Sequence, residues 1–275
     1  MKGYKKVNKF SVVMSVYISD SPIYFVEAVN SLLNQTKLPD EVLIIADGPL
    51  SEELDIAFDS FKNIDFIKLI KLDKNCGLAL SRKEAISRAS FDIIAVMDSD
   101  DICVPDRFEK QIKLIENGQA QVVGGWIEEF HNQPKDKGKI RNTPTSYEEI
   151  LSFGKWRNPI NHVTLMFTKK AYDAVDGYSS VRHTEDWDMI SRMLVEGIIV
   201  MAIPEVLVHV RAGDDMIVRR RKIAQFMGEI KIFFRMYKIG YINIFHLVCN
   251  IFIRVILRML PKFITRFTYN LFLRK

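Results

Sequence analysis

The stretch IIAVMDSDDICVPDR, Ile93 to Arg107, decides how the rest of the chain is read. Its first five residues form the short β-rich apolar run expected of a buried strand. Three carboxylates follow within four positions, Asp98, Asp100 and Asp101. Such a cluster repels itself unless solvent or a cation screens it. Taken alone it reads first as a solvated turn capping the segment around Pro105. At the mouth of a parallel sheet, however, a D-x-D offers hard oxygen ligands suited to Mg2+ or Mn2+, ions commonly shared with substrate phosphates.

The flanking sequence supplies that sheet. Apolar runs at Phe10–Val16, Glu41–Ala46 and Phe66–Leu72 alternate with helical patterns at Tyr24–Leu33, Ser51–Phe61 and Leu78–Ala89. Strands and helices at this pitch predict a parallel, helix-covered α/β sheet whose ligands lie beyond the carboxyl ends of the strands. Tyr17, Asp47, Asn75 with Gly77, and Asp98 with Asp100 each fall just after a strand, so four strand ends offer polar groups to one crevice. The second half is less regular. It predicts a strand over Gln121–Phe130, a polar loop over Gln133–Thr145, a short helix over Tyr147–Phe153, a strand over Val163–Phe167 and a helix over Thr184–Glu196.

Composition narrows the class. Of 275 residues, 48% are hydrophobic and 27% charged, a globular balance that excludes dominant disorder. Cys76, Cys103 and Cys249 lie far apart without metal-ligand spacing, which predicts a reduced, cytosolic setting. The basic start MKGYKKVNKF runs straight into a strand, so no signal peptide is expected. The net charge of +5 conceals an asymmetry: from Arg219 onward 13 Lys and Arg face one acid, Glu229. That segment carries +12 and the remainder −7, which predicts a catalytic part, 1–218, and a basic helical segment, 219–275.

Within the basic segment, Ile239–Pro261 is mostly apolar but contains His246, Asn250, Arg254 and Arg258. A spanning helix would bury the two arginines at roughly 2.5–3.5 kcal/mol each. Arg254, Arg258, Lys262 and Arg266 recur every four residues, with Phe252, Val255, Ile256, Met259 and Phe263 available for the other side. This pattern predicts a cationic amphipathic helix on an anionic leaflet; packing on the catalytic part or on a dimer partner is the alternative. Cations interleaved with Ile, Leu, Phe and Val argue against a nucleic-acid groove.

DSDD followed by ICVPDRFEKQ resembles the D-x-D-D…P-x-R-x-E-x-Q segment of family 2 glycosyltransferases, whose nucleotide-diphospho-sugar fold is called GT-A. SVVMSVY at Ser11, SLLNQT at Ser31, EVLIIADG at Glu41, NCGLALSRKEAI at Asn75 and TEDWDMISRML at Thr184 agree in order and spacing, over about residues 8 to 215. The resemblance implies a mostly parallel GT-A sheet flanked by helices, with C-terminal amphipathic helices appended. It implies that Tyr17 and Asp47 contact the nucleotide base, that Asp98 lies by the ribose and that Asp100 binds Mn2+ or Mg2+ on the diphosphate. Members often have two acids where this chain has Ala46-Asp47. Asn75, Gly77 and Arg82 would line the nucleotide site, His209 would approach the metal and Arg211 the diphosphate.

The acidic pair opening the last helix, Glu185-Asp186, would supply the base, Asp186 foremost; otherwise both simply favour a helix N-terminus. Asn158–His162 resembles an N-P-x-x-H stretch of polysaccharide-building members, which brings His162 to acceptor or diphosphate. Trp126, Trp156 and Trp187 would stack on sugars or pack in the core, Trp187 being the candidate for the acceptor. One base and direct displacement imply inversion. The implied enzyme is metal-dependent and moves a hexose or N-acetylhexosamine from a nucleotide sugar, a UDP-sugar first, to a polyprenyl-diphosphate-linked oligosaccharide. It would act at the cytoplasmic face of the bacterial inner membrane, making O-antigen and other lipopolysaccharide, capsule or exopolysaccharide. Two rivals stand beside it. An inactive GT-A-like assembly partner should lack the metal or base acids, and a nucleotidyltransferase should carry a Gly-rich basic loop where this chain has VYISDSP.

Overall fold

β-branched and aliphatic side chains fill both faces of the first strands, so neither face can meet water. The computed structural model describes residues 9–179, 184–212 and 223–259, with backbone alone at 223–225 and 257–259. Strands β1 (Phe10–Val16), β2 (Glu41–Ala46), β3 (Ile67–Lys71) and β4 (Ile93–Asp98) lie parallel in the order β3-β2-β1-β4. Helices α1 (Pro22–Leu33), α2 (Glu52–Asp59) and α4 (Arg107–Glu116) bury Phe25, Phe58 and Phe108 in the core of one sheet face. On the other face, α3 (Leu78–Arg88) brings Ala85 and Ile86 against Val13, Leu43 and Ile94, with α5 (Tyr147–Phe153), α6 (Lys169–Asp173) and α7 (Glu185–Val195) around it.

Beyond β4 the sheet becomes mixed, with short antiparallel ladders added to the parallel pairings. β8 (Met166–Thr168) is antiparallel to β4 and to β6 (Val122–Phe130), β9 (Val200–Arg211) is parallel to β6, and β5 (Ile102–Cys103) and β7 (Lys139–Arg141) are antiparallel additions. The predicted strand at Val163–Phe167 begins instead as a 3-10 turn, His162–Thr164, and the predicted polar loop contains β7. β4, β8 and β6 diverge here, and two buried polar side chains of α4 stitch them. Arg107 Nη2 donates to Val96 O at 2.8 Å, and Gln111 Nε2 donates to Val123 O at 2.9 Å and Thr164 O at 2.7 Å. The R and Q of the DR-x-x-x-Q run therefore replace missing ladder bonds, as buried carbonyls require.

The C-terminal helices α8 (Ile223–Lys238) and α9 (Ile244–Met259) bury Ile232, Phe233, Met236, Tyr241, Ile242 and Leu247 in the same core as α7. Asp188 of α7, 1% exposed, pairs with Arg192 and with Arg235 of α8, whose Nε is 2.7 Å from Oδ1. Packing thus crosses the 218/219 charge boundary. Arg254 turns towards the domain: it donates to Trp156 O at 3.1 Å and lies 3.5 Å from Glu229. Ile244, Phe245, Val248, Phe252, Val255 and Ile256 face outward. This inverts the sequence expectation for Arg254, because backbone acceptors of the domain occupy its side of the helix. Side chains of Arg258 and Met259, and all of Lys262, Phe263 and Arg266, lie outside the described residues. Among the described residues no helix is long and apolar enough to cross a membrane.

Candidate active site

The carboxyl ends of β1, β2 and β4 form one rim, where Asp47, Asn75 and Asp98 each have a definite partner. Asp47 follows β2 and is buried; its Oδ1 accepts the Cys76 amide at 2.8 Å and its Oδ2 the Gly77 amide at 3.0 Å. Asn75 Nδ2 returns to Asp47 O at 3.1 Å. Asp47 therefore shapes the 75–77 loop rather than standing open for a base. Two glycines make that closure feasible: Gly77 has φ +90°, and a Cβ on Gly48 would fall 2.6 Å from Asn75 N. Tyr17, 46% exposed at the end of β1, is open to a ligand.

The D-x-D turn follows β4. Asp98 forms an ion pair with Arg82 of α3, itself only 4% exposed. Asp101 is buried and accepts the Arg211 amide at 2.9 Å; burial and the charges of Asp100 and Asp98 push its carboxyl well above the usual range. Asp100 opens to solvent. Its carboxyl is pushed up to about 6, first by partial loss of water and then by Asp98 and Asp20. Asp20, which the sequence reading passed over, joins the cluster by accepting from Ser99 Oγ at 2.7 Å and Tyr17 N at 3.1 Å. Its signal was present: a carboxylate four residues past the first strand end.

Asp20, Asp100 and Asp101, with raised proton affinity, stand beside Asp98, and this set of hard oxygen donors suits a divalent cation. Among the described residues no three His, Cys, Asp or Glu side chains are arranged to hold a metal by themselves. Mg2+-type ions ordinarily take one or two carboxylates and complete their shell with water and substrate phosphate, so the donor set fits. His209 is not part of such a set; its Nδ1 lies 2.7 Å from Glu128, its registered neighbour on β6. Arg211 is likewise engaged elsewhere. Its guanidinium is 2.5 Å from Glu27 and stacks between Tyr24, at 3.7 Å, and Phe130, at 4.5 Å, while Nε donates to Asp100 O. It clasps the turn from behind.

Asp186 sits in the first turn of α7. Oδ2 accepts Asn158 Nδ2 at 2.6 Å and Oδ1 accepts the Trp187 amide at 2.8 Å. Burial pushes its carboxyl up, against these donors and the charges of Arg141 and Arg82. Arg82 thus acts on both acids: it pairs with Asp98 and its field reaches Asp186. Glu185 precedes it in the same turn. His162 Nε2 is 2.7 Å from Tyr178 Oη, in surroundings that hold the imidazole well below its usual range by burial and by the Arg82 and Arg107 charges. A neutral imidazole is no diphosphate-binding cation, and Tyr178 was not visible as its partner from sequence. Trp187 is buried, donates Nε1 to Gly154 O at 3.0 Å and meets Phe233 edge-on, so it packs the core and does not present a face to sugar.

Comparison with known proteins shows the family and the fold. The family model "Glycosyl transferase family 2" matches residues 11–175. An Escherichia coli "UDP-Gal:alpha-D-GlcNAc-diphosphoundecaprenol beta-1,3-galactosyltransferase" is 35% identical over 268 residues, 97% of either chain. The amylovoran biosynthesis glycosyltransferase AmsE of Erwinia amylovora is 30% identical over 262 residues, 95% of this chain and 98% of that one. Among solved structures, a Pyrobaculum calidifontis mannosyltransferase in complex with GDP-Man and Mn2+ superposes with a TM-score of 0.64 at 15% identity, covering 84% of this chain and 64% of that one. That structure shares the fold, and the sequence matches show the family: the chain belongs to glycosyltransferase family 2.

Proposed function

We propose that the chain is a metal-dependent, inverting glycosyltransferase that moves a hexose or N-acetylhexosamine from a UDP-sugar to a polyprenyl-diphosphate-linked acceptor. The observation that carries this is the arrangement around Arg82. One cation connects a donor-side acid, Asp98, with a part-buried acid of raised proton affinity at a helix N-terminus, Asp186. Tyr17 and the Asp47-held loop flank the nucleotide, and Asp98 and Asp100 face its ribose and diphosphate. As the acceptor oxygen bonds to the anomeric carbon, the carbon–phosphate oxygen bond breaks and its electron pair leaves on the diphosphate. Asp186 takes the acceptor proton as the hydroxyl acidifies during attack. Asp100 would hold a divalent cation, which would supply charge stabilisation for the departing diphosphate. A single displacement on an α-linked nucleotide sugar gives a β product, the linkage named for the E. coli relative.

A polyprenyl carrier places the reaction at a bilayer, and we assign the cytoplasmic face of the inner membrane, where nucleotide sugars are. The outward stripe Ile244, Phe245, Val248 and Phe252 is the proposed contact. The following sequence, with Lys262, Arg266, Arg274 and Lys275 and no acid, supplies charge complementary to anionic lipid. A product of the O-antigen or amylovoran kind is supported by relatives' names, an E. coli "O-antigen biosynthesis glycosyltransferase WbnJ" among them. The test is a panel of UDP-, GDP- and dTDP-sugars with synthetic lipid-diphosphate acceptors, with Mn2+ or with EDTA. Metal-dependent transfer from one UDP-sugar is expected. No nucleotide release and no nucleotide binding across the panel refutes the reading.

A further inference from the structure

The base and the C-terminal helices meet in one short segment, 155–158. At its end, Asn158 Nδ2 holds Asp186 Oδ2 at 2.6 Å, while Asn158 O accepts from Arg141 of β7 at 3.3 Å. At its start, two carbonyls accept from α9. Asn250 Nδ2 donates to Lys155 O at 2.9 Å and Arg254 Nη2 donates to Trp156 O at 3.1 Å. Asn250 is 1% exposed and also donates to His246 O, and the His246 ring lies 4.9 Å from that of Trp156. Two further contacts reach the same place. Tyr241 Oη, in the turn between α8 and α9, donates to Leu151 O at 2.8 Å, and Phe233 of α8 packs 5.4 Å from Trp187, the residue after Asp186.

We propose that α9 is a positioning element of the transfer step: Asn250 and Arg254 fix the 155–158 segment so that Asn158 aims the Asp186 carboxylate at the acceptor. This rests on the reading of Asp186 as base. The physical reason is geometric. A carboxylate held on one oxygen by a side-chain amide and on the other by a backbone amide keeps one orientation, and small misplacement of a reacting group costs rate steeply. An amide donor also favours the ionised form, so its loss raises the pKa of the base and moves the acid limb of kcat to higher pH. The other groups facing this carboxylate, Arg141 of β7, Arg82 of α3, Tyr178 and the adjacent Glu185, keep their charges in the variants below.

The experiment uses the full chain with the donor that turns over in the panel, and compares Asn158→Ala, Asn250→Ala, Arg254→Met, Arg254→Lys and Asp186→Asn. The first three are expected to lose roughly tenfold or more in kcat, the order of one charge-assisted hydrogen bond. Donor KM and UDP affinity by calorimetry should stay within about twofold, since the donor rim is untouched. Arg254→Lys, which keeps a cationic donor, should recover most of the loss. Carboxyl NMR titration of Asp186 should show its pKa raised in Asn158→Ala and Asn250→Ala, a readout independent of turnover. If Asn250→Ala does not fold, Arg254→Met carries the same test. An inactive Asp186→Asn beside wild-type kcat and an unmoved Asp186 titration in the others overturns this inference alone; an active Asp186→Asn overturns the base itself.

Discussion

Glu41 provides a quantitative test of how the first two strands are locked. It opens β2 opposite Ser11 of β1, with its side chain 3% exposed. Its Oε2 accepts Ser11 Oγ at 2.6 Å and Ser90 N at 2.8 Å, and Oε1 accepts Ser90 Oγ at 2.7 Å and an ion pair from Lys68. Burial opposes the charge, but Lys68, Ser11 and Ser90 outweigh it and bring the carboxyl from an ordinary 4.5 down to about 2. That difference corresponds to about 3 kcal/mol. Lys68 is half-exposed and screened, so about 2 kcal/mol is the working figure. Because the folded pKa lies below the unfolded one, this stability is complete above about pH 4.5 and is lost as pH falls towards 2. Glu41→Gln keeps the shape and removes the charge. Urea unfolding at pH 7 should show a loss of about 2 kcal/mol, and the gap to wild type should narrow steadily between pH 5 and pH 3. A loss below about 0.5 kcal/mol at pH 7, or a gap independent of pH, refutes the argument.

Three further outcomes are expected. Asp100→Asn should cut metal-dependent transfer at least about 100-fold and weaken Mn2+ binding seen by electron paramagnetic resonance. It should leave thermal stability unchanged or slightly higher, because a crowded like charge is removed. Gly48→Ala places a Cβ 2.6 Å from Asn75 N at a backbone with φ +89°, so roughly 1–3 kcal/mol of strain should fall on the 75–77 loop and appear as weaker UDP binding by calorimetry. Replacing Phe245 and Phe252, each 64% exposed, by Ser should reduce sedimentation with phosphatidylglycerol vesicles without lowering the melting temperature. Unchanged vesicle binding removes α9 as the membrane contact.

The doubly covered half of the fold was legible because its signals are local. The periods of β1 to β4 and of α1 to α3 are written in consecutive residues, and the polar groups at their ends follow from topology. β9 went unassigned for a local reason too. Pro204 interrupts its apolar run, and the register shows why it is tolerated: Ile203 pairs with Gly125 and Val206 with Trp126, so Pro204 and Glu205 are looped out at a bulge. Partners were not legible where they come from far along the chain. Nothing near Arg211 announces Glu27 and Tyr24, and nothing near Trp187 announces Gly154 and Phe233. Asp47, Asp98 and Asp100 at the rim were found by position, whereas Asp20 and the residues that aim them needed coordinates.

The orientation of α9 shows where periodicity stops informing. A cation every four residues marks one polar stripe, but a stripe can face water, lipid headgroups or the backbone of its own protein. Here, carbonyls just past the end of α5 lack helical partners, as helix ends do, and Asn250 and Arg254 supply the donors. Satisfying them turns the polar side inward, and the geometry of a helix then turns Phe245, Val248 and Phe252 outward. On the proposed function the polar stripe and the apolar stripe serve different purposes: one fixes the helix beside Asp186, the other is the proposed bilayer contact. A change to the outward residues should alter where the enzyme sits, and a change to the inward ones should alter how fast it transfers sugar. Measuring both on the same variants separates the two roles, and a single variant set in which they cannot be separated would show that the helix acts only as scaffold.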